Sequence, residues 1–256
     1  MLELNGLSKR FGGNQVLQDV SLKLDPDTPI TGLIGPNGSG KSTLFNVVMG
    51  FYVQDQGTVH FEKQQLDNLP PEKRCHTGLS CTFQDSRMLS FMTVLENLTA
   101  IPTPQLGESL ISTFFARGRI RLEESKLKDR AYEILELLHL TALADKPAGS
   151  LSYGQRKLLE IGRVMMTNPR LVLLDEPTAG INPTLIQSLV TILETLAQRG
   201  MRFFLVEHNM PLVSQLCDRV LVLDAGKLIF NGTAEAARND KQVIEAYLGS
   251  DSYVNT

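Results

Sequence analysis

The octapeptide Gly35-Pro-Asn-Gly-Ser-Gly-Lys-Ser42 narrows the folds open to this chain more than any other stretch. It fits G-x-x-x-x-G-K-[ST], a loop that cradles phosphate between a strand and a helix. The apolar run Ile30–Ile34 predicts a short buried strand before it, and Ser42–Met49 predicts the helix behind it. Such a unit commits the chain to an α/β design, with the strand inside a sheet and helices covering its faces. The residue types follow from the chemistry. Gly35, Gly38 and Gly40 let the backbone take positive φ and come close to phosphate oxygens. Pro36, Asn37 and Ser39 complete a loop whose amides, with the helix N-terminus, offer an anion a concave nest of N–H groups. Lys41 is expected against the β- and γ-phosphates, and the Ser42 hydroxyl on a magnesium ion, with Thr43 beside it in the first helical turn.

Charge and cysteine content exclude several classes. The chain has 256 residues, enough to bury a substantial core as one α/β unit with an appended subdomain or as two small domains. A net charge of −3 provides no basic field for nonspecific nucleic-acid binding. Arg117-Gly-Arg-Ile-Arg121 is a local basic cluster, too short and too poor in aromatics to read as a nucleic-acid site. Cys75, Cys81 and Cys217 are odd in number and lack metal-ligand spacing, which suits a reducing cytoplasm. The N-terminus runs directly into a strand-like pattern without a signal-peptide layout. No apolar run approaches the ~20 residues that span a bilayer, so work at a membrane is expected to pass through a partner that does.

The pattern along the chain changes twice. Val20, Leu22 and Leu24 alternate with polar residues, and Gly57–Phe61 and Gly78–Phe83 predict two further strands. From about 94 to 168 the pattern is helical, with Leu127, Ala131, Ile134, Leu135 and Leu138 forming an amphipathic stripe. The breaker-rich segment Ile101–Gly107 interrupts it. Then strand and helix alternate: Leu171–Leu174, a helix over Pro183–Gln198, Arg202–Val206, a helix near 210–217, Val220–Leu223, and Leu228–Phe230 after the turn at Asp224–Gly226. This order predicts a mostly parallel sheet with a helical block inserted between its strands.

Four further features carry chemistry. Asp175 and Glu176 follow the buried strand Leu171–Leu174, at a strand end where α/β sheets place their ligands. Adjacent carboxylates there fit a division of labour, Asp175 holding magnesium through its water shell and Glu176 polarising the attacking water. His208 follows the strand Arg202–Val206 and is expected at the same edge, reaching the γ-phosphate. Gln84 follows the strand Gly78–Phe83 and is placed to reach the magnesium or the water through its amide. Leu151-Ser-Tyr-Gly-Gln155 precedes a helix that Ser152 caps, with Gly154 leaving the first amides open, a second anion-binding helix terminus. One nucleotide cannot easily use both termini within one subunit, whereas a head-to-tail dimer places this one over the partner's γ-phosphate.

In this order the pieces resemble the ATP-binding cassette (ABC) transporter ATPases over nearly the whole chain. The resemblance implies a phosphate-loop NTPase core with an N-terminal antiparallel β part, over residues 1–84 and 166–256. It implies a helical subdomain over about 85–165. It makes Phe11 the aromatic that stacks on adenine, Gly35–Ser42 the Walker A loop, Gln84 the Q-loop residue and Ser152–Gln155 the signature. Leu171–Asp175 with Glu176 becomes Walker B plus the base, and His208 the switch histidine. The sequence departs from the usual pattern at Tyr153, where the signature commonly has glycine, and at Asn182, where aspartate is common. Within the family it is most similar to importer ATPases for branched-chain amino acids, through Leu151–Gln155, Ala179–Pro183, the segment 101–128 and the ending Val243–Gly249. Urea-type importer ATPases share several of these features. The resemblance implies ATP and Mg²⁺, a second ATPase subunit, integral membrane permease subunits and, indirectly, a solute-binding protein. It implies a peripheral place on the cytoplasmic side of the inner membrane. A soluble cassette of translation would normally carry two cassettes, and a DNA-repair cassette a long coiled coil, for which there is no sustained heptad run.

Overall fold

In the computed structural model the described residues are 1–82, 88–101 and 117–251. Its strands are β1 (Leu2–Phe11), β2 (Asn14–Leu24), β3 (Ile30–Ile34), β4 (Gln56–Phe61), β5 (Gln64–Gln65), β6 (Leu79–Cys81), β7 (Leu171–Asp175), β8 (Arg202–Val206), β9 (Arg219–Asp224) and β10 (Lys227–Gly232). The helices are α1 (Lys41–Met49), α2 (Pro71–His76), α3 (Val94–Thr99), α4 (Arg117–Leu137), α5 (Tyr153–Met166), α6 (Pro183–Gln198), α7 (Met210–Leu216), α8 (Ala234–Asn239) and α9 (Lys241–Asp251). By contact density the chain divides into two units. One holds residues 1–84, 169–179 and 193–256; the other holds 85–168 and 180–192.

The first unit contains two sheets. One is antiparallel, in the order β2-β1-β4-β5; the other runs β10-β9-β3-β8-β7-β6 and is parallel except for the β9–β10 pair. This is the expected α/β architecture with an antiparallel β part. Every residue of β3 is buried, as expected of an inner parallel strand covered on both faces. Register then decides what meets at the sheet's edge. Leu33 pairs with Val206, and Val206 pairs with Asp175, so the carboxyl ends of β3, β8 and β7 lie level. Whatever follows those three strands therefore converges.

Period-two alternation divides the core of this unit between two faces. Leu221 and Leu223 of β9 enter a large cluster with Leu33, α1 (Leu44, Phe45, Val48) and the apolar residues of β1, β2 and β4. Val220 and Val222 turn to the other face, with Ile34, Val213, Ala237 and Val243. The Phe45 and Phe204 rings lie 4.9 Å apart between centroids, fastening α1 to the sheet. Each such fully buried side chain contributes about 1.5–3 kcal/mol of apolar burial.

The far end of α1 is closed by an arginine. Arg74, 1% exposed, donates from Nη1 to the Val47 and Val48 carbonyls and from Nε to the Leu69 carbonyl. The last carbonyls of a helix lack amide partners in the next turn, and here the guanidinium serves Val47, which also accepts from the Gly50 amide, and Val48. Burial lowers the Arg74 pKa from its ordinary value, opposed by the Asp67 carboxylate.

The second unit is helical. Ala131, Ile134, Leu135 and Leu138 of the expected stripe are buried, and Leu127 is half-buried. Gly162 of α5 lies where a Cβ would meet Leu138, Ile134 and Leu98, so α4, α5 and α3 approach at that point. One of the sequence expectations is revised in extent. The Gly78–Phe83 strand is described as β6 over Leu79–Cys81, and Phe83 lies outside the described residues. Two C-terminal helices follow β10, α8 capped by Thr233 and α9 opened by the Asp240 carboxylate on the Val243 amide. The segment 102–116 lies outside the described residues.

Candidate nucleotide site

The phosphate loop leaves β3 with Gly35 at φ +151°, where a Cβ would come within 2.0 Å of the Leu223 carbonyl oxygen. Only glycine fits there. Gly40, at φ +106°, is the N-cap of α1, and no side chain caps that helix. The first hydrogen bond inside α1 runs from the Leu44 amide to the Gly40 carbonyl. The amides of Lys41, Ser42 and Thr43 precede it and form the open, positive end of the helix dipole. They border a pocket of about 240 Å³ together with Val16, Asn37, Gly38, Gly40 and Glu176.

Lys41 is 8% exposed, and its Nζ donates to the Gly35 and Pro36 carbonyls at 2.9 and 2.8 Å. An ammonium has three donors, so one is left for a ligand. Burial lowers the Lys41 pKa, while the Glu176 and Asp175 carboxylates oppose that shift. The Ser39 Oγ is buried without a hydrogen-bond partner among the described residues. A buried cation, a spare hydroxyl and an uncapped helix terminus fit the phosphate groups of a nucleotide. A magnesium ion fits the same edge on donor chemistry: the Ser42 hydroxyl and the Asp175 carboxylate supply hard oxygens, and Mg²⁺ needs only one or two from protein beside phosphate and water. Among the described residues no group of three or more His, Cys, Asp or Glu side chains forms a metal cage.

Beyond β7 the backbone is strained. Glu176 has φ +48°, a left-handed conformation that costs a non-glycine residue about 1–3 kcal/mol. Its amide donates to the Val206 carbonyl at 3.0 Å, and its own carbonyl accepts from Ala179 at 3.1 Å. The turn sets the Glu176 carboxylate beside His208, with Oε1 and Nδ1 3.6 Å apart. Sequence reasoning placed Lys41, Ser42, Asp175, Glu176 and His208 at one edge, and the strand register brings them there. Gln84 lies outside the described residues. Phe11, at the end of β1 and 43% exposed, stands edge-on to Tyr52 at 5.1 Å with Lys9 Nζ 5.3 Å from its ring centre.

Thr178 and Glu207 were not singled out from the sequence. Glu207 is 1% exposed and accepts at Oε1 from both the Thr178 amide (3.1 Å) and the Thr178 hydroxyl (2.6 Å). A glutamate directly after the apolar run Arg202–Val206 was the available signal, since a carboxylate there is either exposed or held.

The signature residues belong to the helical unit. Ser152 and Gln155 form a capping box: Ser152 Oγ accepts from the Gln155 amide at 3.3 Å, and Gln155 Oε1 from the Ser152 amide at 2.9 Å. Gly154 is buried, and a Cβ on it would meet Leu185 Cδ2 at 1.9 Å. Its lack of a side chain thus answers first to internal packing. Tyr153 is half-exposed, with Lys157 Nζ 5.8 Å and the Arg156 guanidinium 6.0 Å from its ring centre. Asn182 accepts from the Leu185 amide at 2.9 Å and caps α6, with Pro183 as the first helical residue.

A mostly parallel sheet with a phosphate loop after inner strand β3 and carboxylates at the level end of β7, one strand removed, defines a phosphate-loop nucleotide-binding protein. Comparison with known proteins narrows the class. Residues 17–179 match the family described as ABC transporter, and residues 227–253 match the description branched-chain amino acid ATP-binding cassette transporter. The chain belongs to the ABC transporter family. It is 40% identical over 250 residues to the high-affinity branched-chain amino acid transport ATP-binding protein LivG of Escherichia coli K12, covering 97% of this chain and 98% of the relative. It is 37% identical, with the same coverage, to BraF of Pseudomonas aeruginosa, which has the same description. A crystal structure of an ABC transporter's ATP-binding cassette in its ADP conformation matches with a TM-score of 0.82 at 38% identity, covering 97% of this chain and 98% of that one.

Proposed function

We propose that this chain binds and hydrolyses ATP as the motor subunit of an importer, taking up branched-chain amino acids through a separate permease. Near-full-length identity of 37–40% to LivG and BraF supports the transport assignment, as does the match at residues 227–253. The single observation that carries the chemistry is the level edge of β3, β7 and β8, which gathers Lys41, Glu176 and His208. Lys41 and the α1 amides hold the phosphates. Ser42 and Asp175, with Gln84 on the sequence reading, hold the magnesium. Bound there, the ion neutralises charge on the β- and γ-phosphates. Glu176 accepts the proton of the attacking water, and His208 orients the carboxylate and the γ-phosphate. Phe11 stacks on the adenine.

On this reading two subunits pair head-to-tail, each lending Ser152, Gly154 and Gln155 to the other's nucleotide. The 1–84 and 166–256 parts act as the catalytic core, and about 85–165 as the helical subdomain that passes motion to the permease. No helix among the described residues is long and apolar enough to cross a membrane. On the same reading the chain meets the inner membrane's cytoplasmic face through the permease. The test is Glu176→Gln. Its amide cannot take the proton, and turnover falls by about 10²–10⁴-fold while nucleotide binding persists. Turnover within a few-fold of wild type would remove Glu176 from the role of base. Co-purification of a branched-chain amino acid permease with the tagged chain tests the transport assignment.

A further inference from the structure

We infer that Glu207 and Thr178 form a brace that holds the strained Glu176 in register with His208, acting as positioning residues for hydrolysis. The inference rests on the ATPase reading above and deepens it. Glu176 is a left-handed residue in a turn, and such a conformation lasts only where its surroundings over-determine it. Both sides of Glu176 are fastened to the end of β8. On the near side its own amide donates to the Val206 carbonyl. On the far side, two residues on, Thr178 gives its amide and its hydroxyl to one oxygen of Glu207 at 3.1 and 2.6 Å.

Glu207 is a junction of three connections. Its amide donates to the Leu33 carbonyl of β3 at 3.3 Å, tying it to the strand that carries the phosphate loop. Its carboxylate holds the turn that carries Glu176. Its chain neighbour is His208, whose Nδ1 lies 3.6 Å from Glu176 Oε1. Together with the Glu176 amide on Val206, this residue ties the base to the strand of the phosphate loop and to the histidine.

The energetics point the same way. Glu207 is 1% exposed, and no basic side chain among the described residues forms an ion pair with it. A buried carboxylate held by hydroxyl and amide donors is costly compared with an apolar residue of similar size. Packing alone would favour the apolar residue. A short, charge-assisted bond between two turns that both bear reacting groups restricts those groups more tightly than apolar contact does.

The experiment uses the full-length chain, with ATP as substrate and a fluorescent ATP analogue for affinity. Thr178→Val keeps the shape and removes the hydroxyl; Thr178→Ser restores it. We expect Thr178→Val to lower kcat about tenfold and leave nucleotide affinity near wild type, with a modest fall in Tm because the buried Glu207 carboxylate loses its hydroxyl donor and keeps the Thr178 amide; Thr178→Ser should restore both kcat and Tm. In a Glu176→Gln background, Thr178→Val should bring no further loss, since no base remains to position. An unchanged kcat for Thr178→Val would overturn the brace, and so would a loss that Thr178→Ser shares. Losses of kcat, affinity and Tm in step would also overturn it, by showing a purely structural bond. Failure of the ATPase reading looks different: a Glu176→Gln chain that hydrolyses ATP normally sinks both. A dead Glu176→Gln beside a normal Thr178→Val sinks the brace alone.

Discussion

At the scale of single residues, the chain spends its buried charges on the edges of α1 and the sheet. Lys41 sits at one end of α1 and Arg74 at the other, both nearly inaccessible to water. Lys41 was legible because its motif is read by spacing. Arg74 was not, because a guanidinium finds carbonyls 26 and 27 residues away, and nothing local marks it. Glu207 escaped notice for a related reason: its partner Thr178 is 29 residues distant. Arg74→Met fills a similar volume while taking the guanidinium away from the Val47, Val48 and Leu69 carbonyls, of which Val47 keeps the Gly50 amide. We expect a loss of about 3 kcal/mol of stability, read as a lower midpoint in urea at unchanged slope. A midpoint within experimental error of wild type would show that water or a neighbour replaces the guanidinium at no cost. The thiol of Cys217, packed against the core cluster of Val213 and Val220, is pushed up to about 12 by burial and behaves as a small apolar residue.

At the scale of elements, legibility followed burial pattern. The strands Ile30–Ile34 and Arg202–Val206 and the helix Pro183–Gln198 have the bounds expected from their apolar runs and breakers. Sheet order was less accessible, because strand neighbours are set by crossovers and not by local periodicity. Helices α8 and α9 went unread, being short, polar and capped by side chains whose meaning depends on the fold. Gly162 in α5 shows the limit most plainly. Glycine in a helix interior costs about 1 kcal/mol against alanine, yet here a Cβ would come within 2.7 Å of Leu138 and 3.2 Å of Ile134 and Leu98. Close approach of three helices outweighs propensity. Gly162→Val should therefore destabilise the helical unit by about 1–3 kcal/mol despite removing a glycine. Hydrogen exchange would show the loss confined to α3, α4 and α5. Uniformly faster exchange across both units would instead show that they unfold together.

At the scale of the whole molecule, the open matter is whether Ser152 acts on its own subunit's nucleotide or on a partner's. Gly154→Asp is a poor probe, since its side chain would have to displace Leu185 as well as meet a phosphate, mixing a packing effect with the charge effect. Ser152→Asp is better. Aspartate is as good an N-cap as serine and suits the helix dipole, so the cap on Gln155 survives. Its carboxylate would meet a γ-phosphate held at the signature, with repulsion of about 4 kcal/mol for two unit charges about 4 Å apart near a protein surface. The variant should still bind ATP at its own Gly35–Ser42 loop while losing ATP-driven dimerisation and hydrolysis. Lys41→Ala should fail earlier, at nucleotide binding, because it removes the buried ammonium from the phosphates. Mixing the two inactive variants separates the geometries. If the signature works in trans, both lesions in a mixed dimer fall on one composite site and the other is whole, so hydrolysis returns. If it works in cis, each site carries one lesion and the mixture stays silent. Recovery of ATPase activity on mixing is the expected result. Ser152→Asp homodimers that form with ATP and turn it over normally would remove the signature from the site altogether.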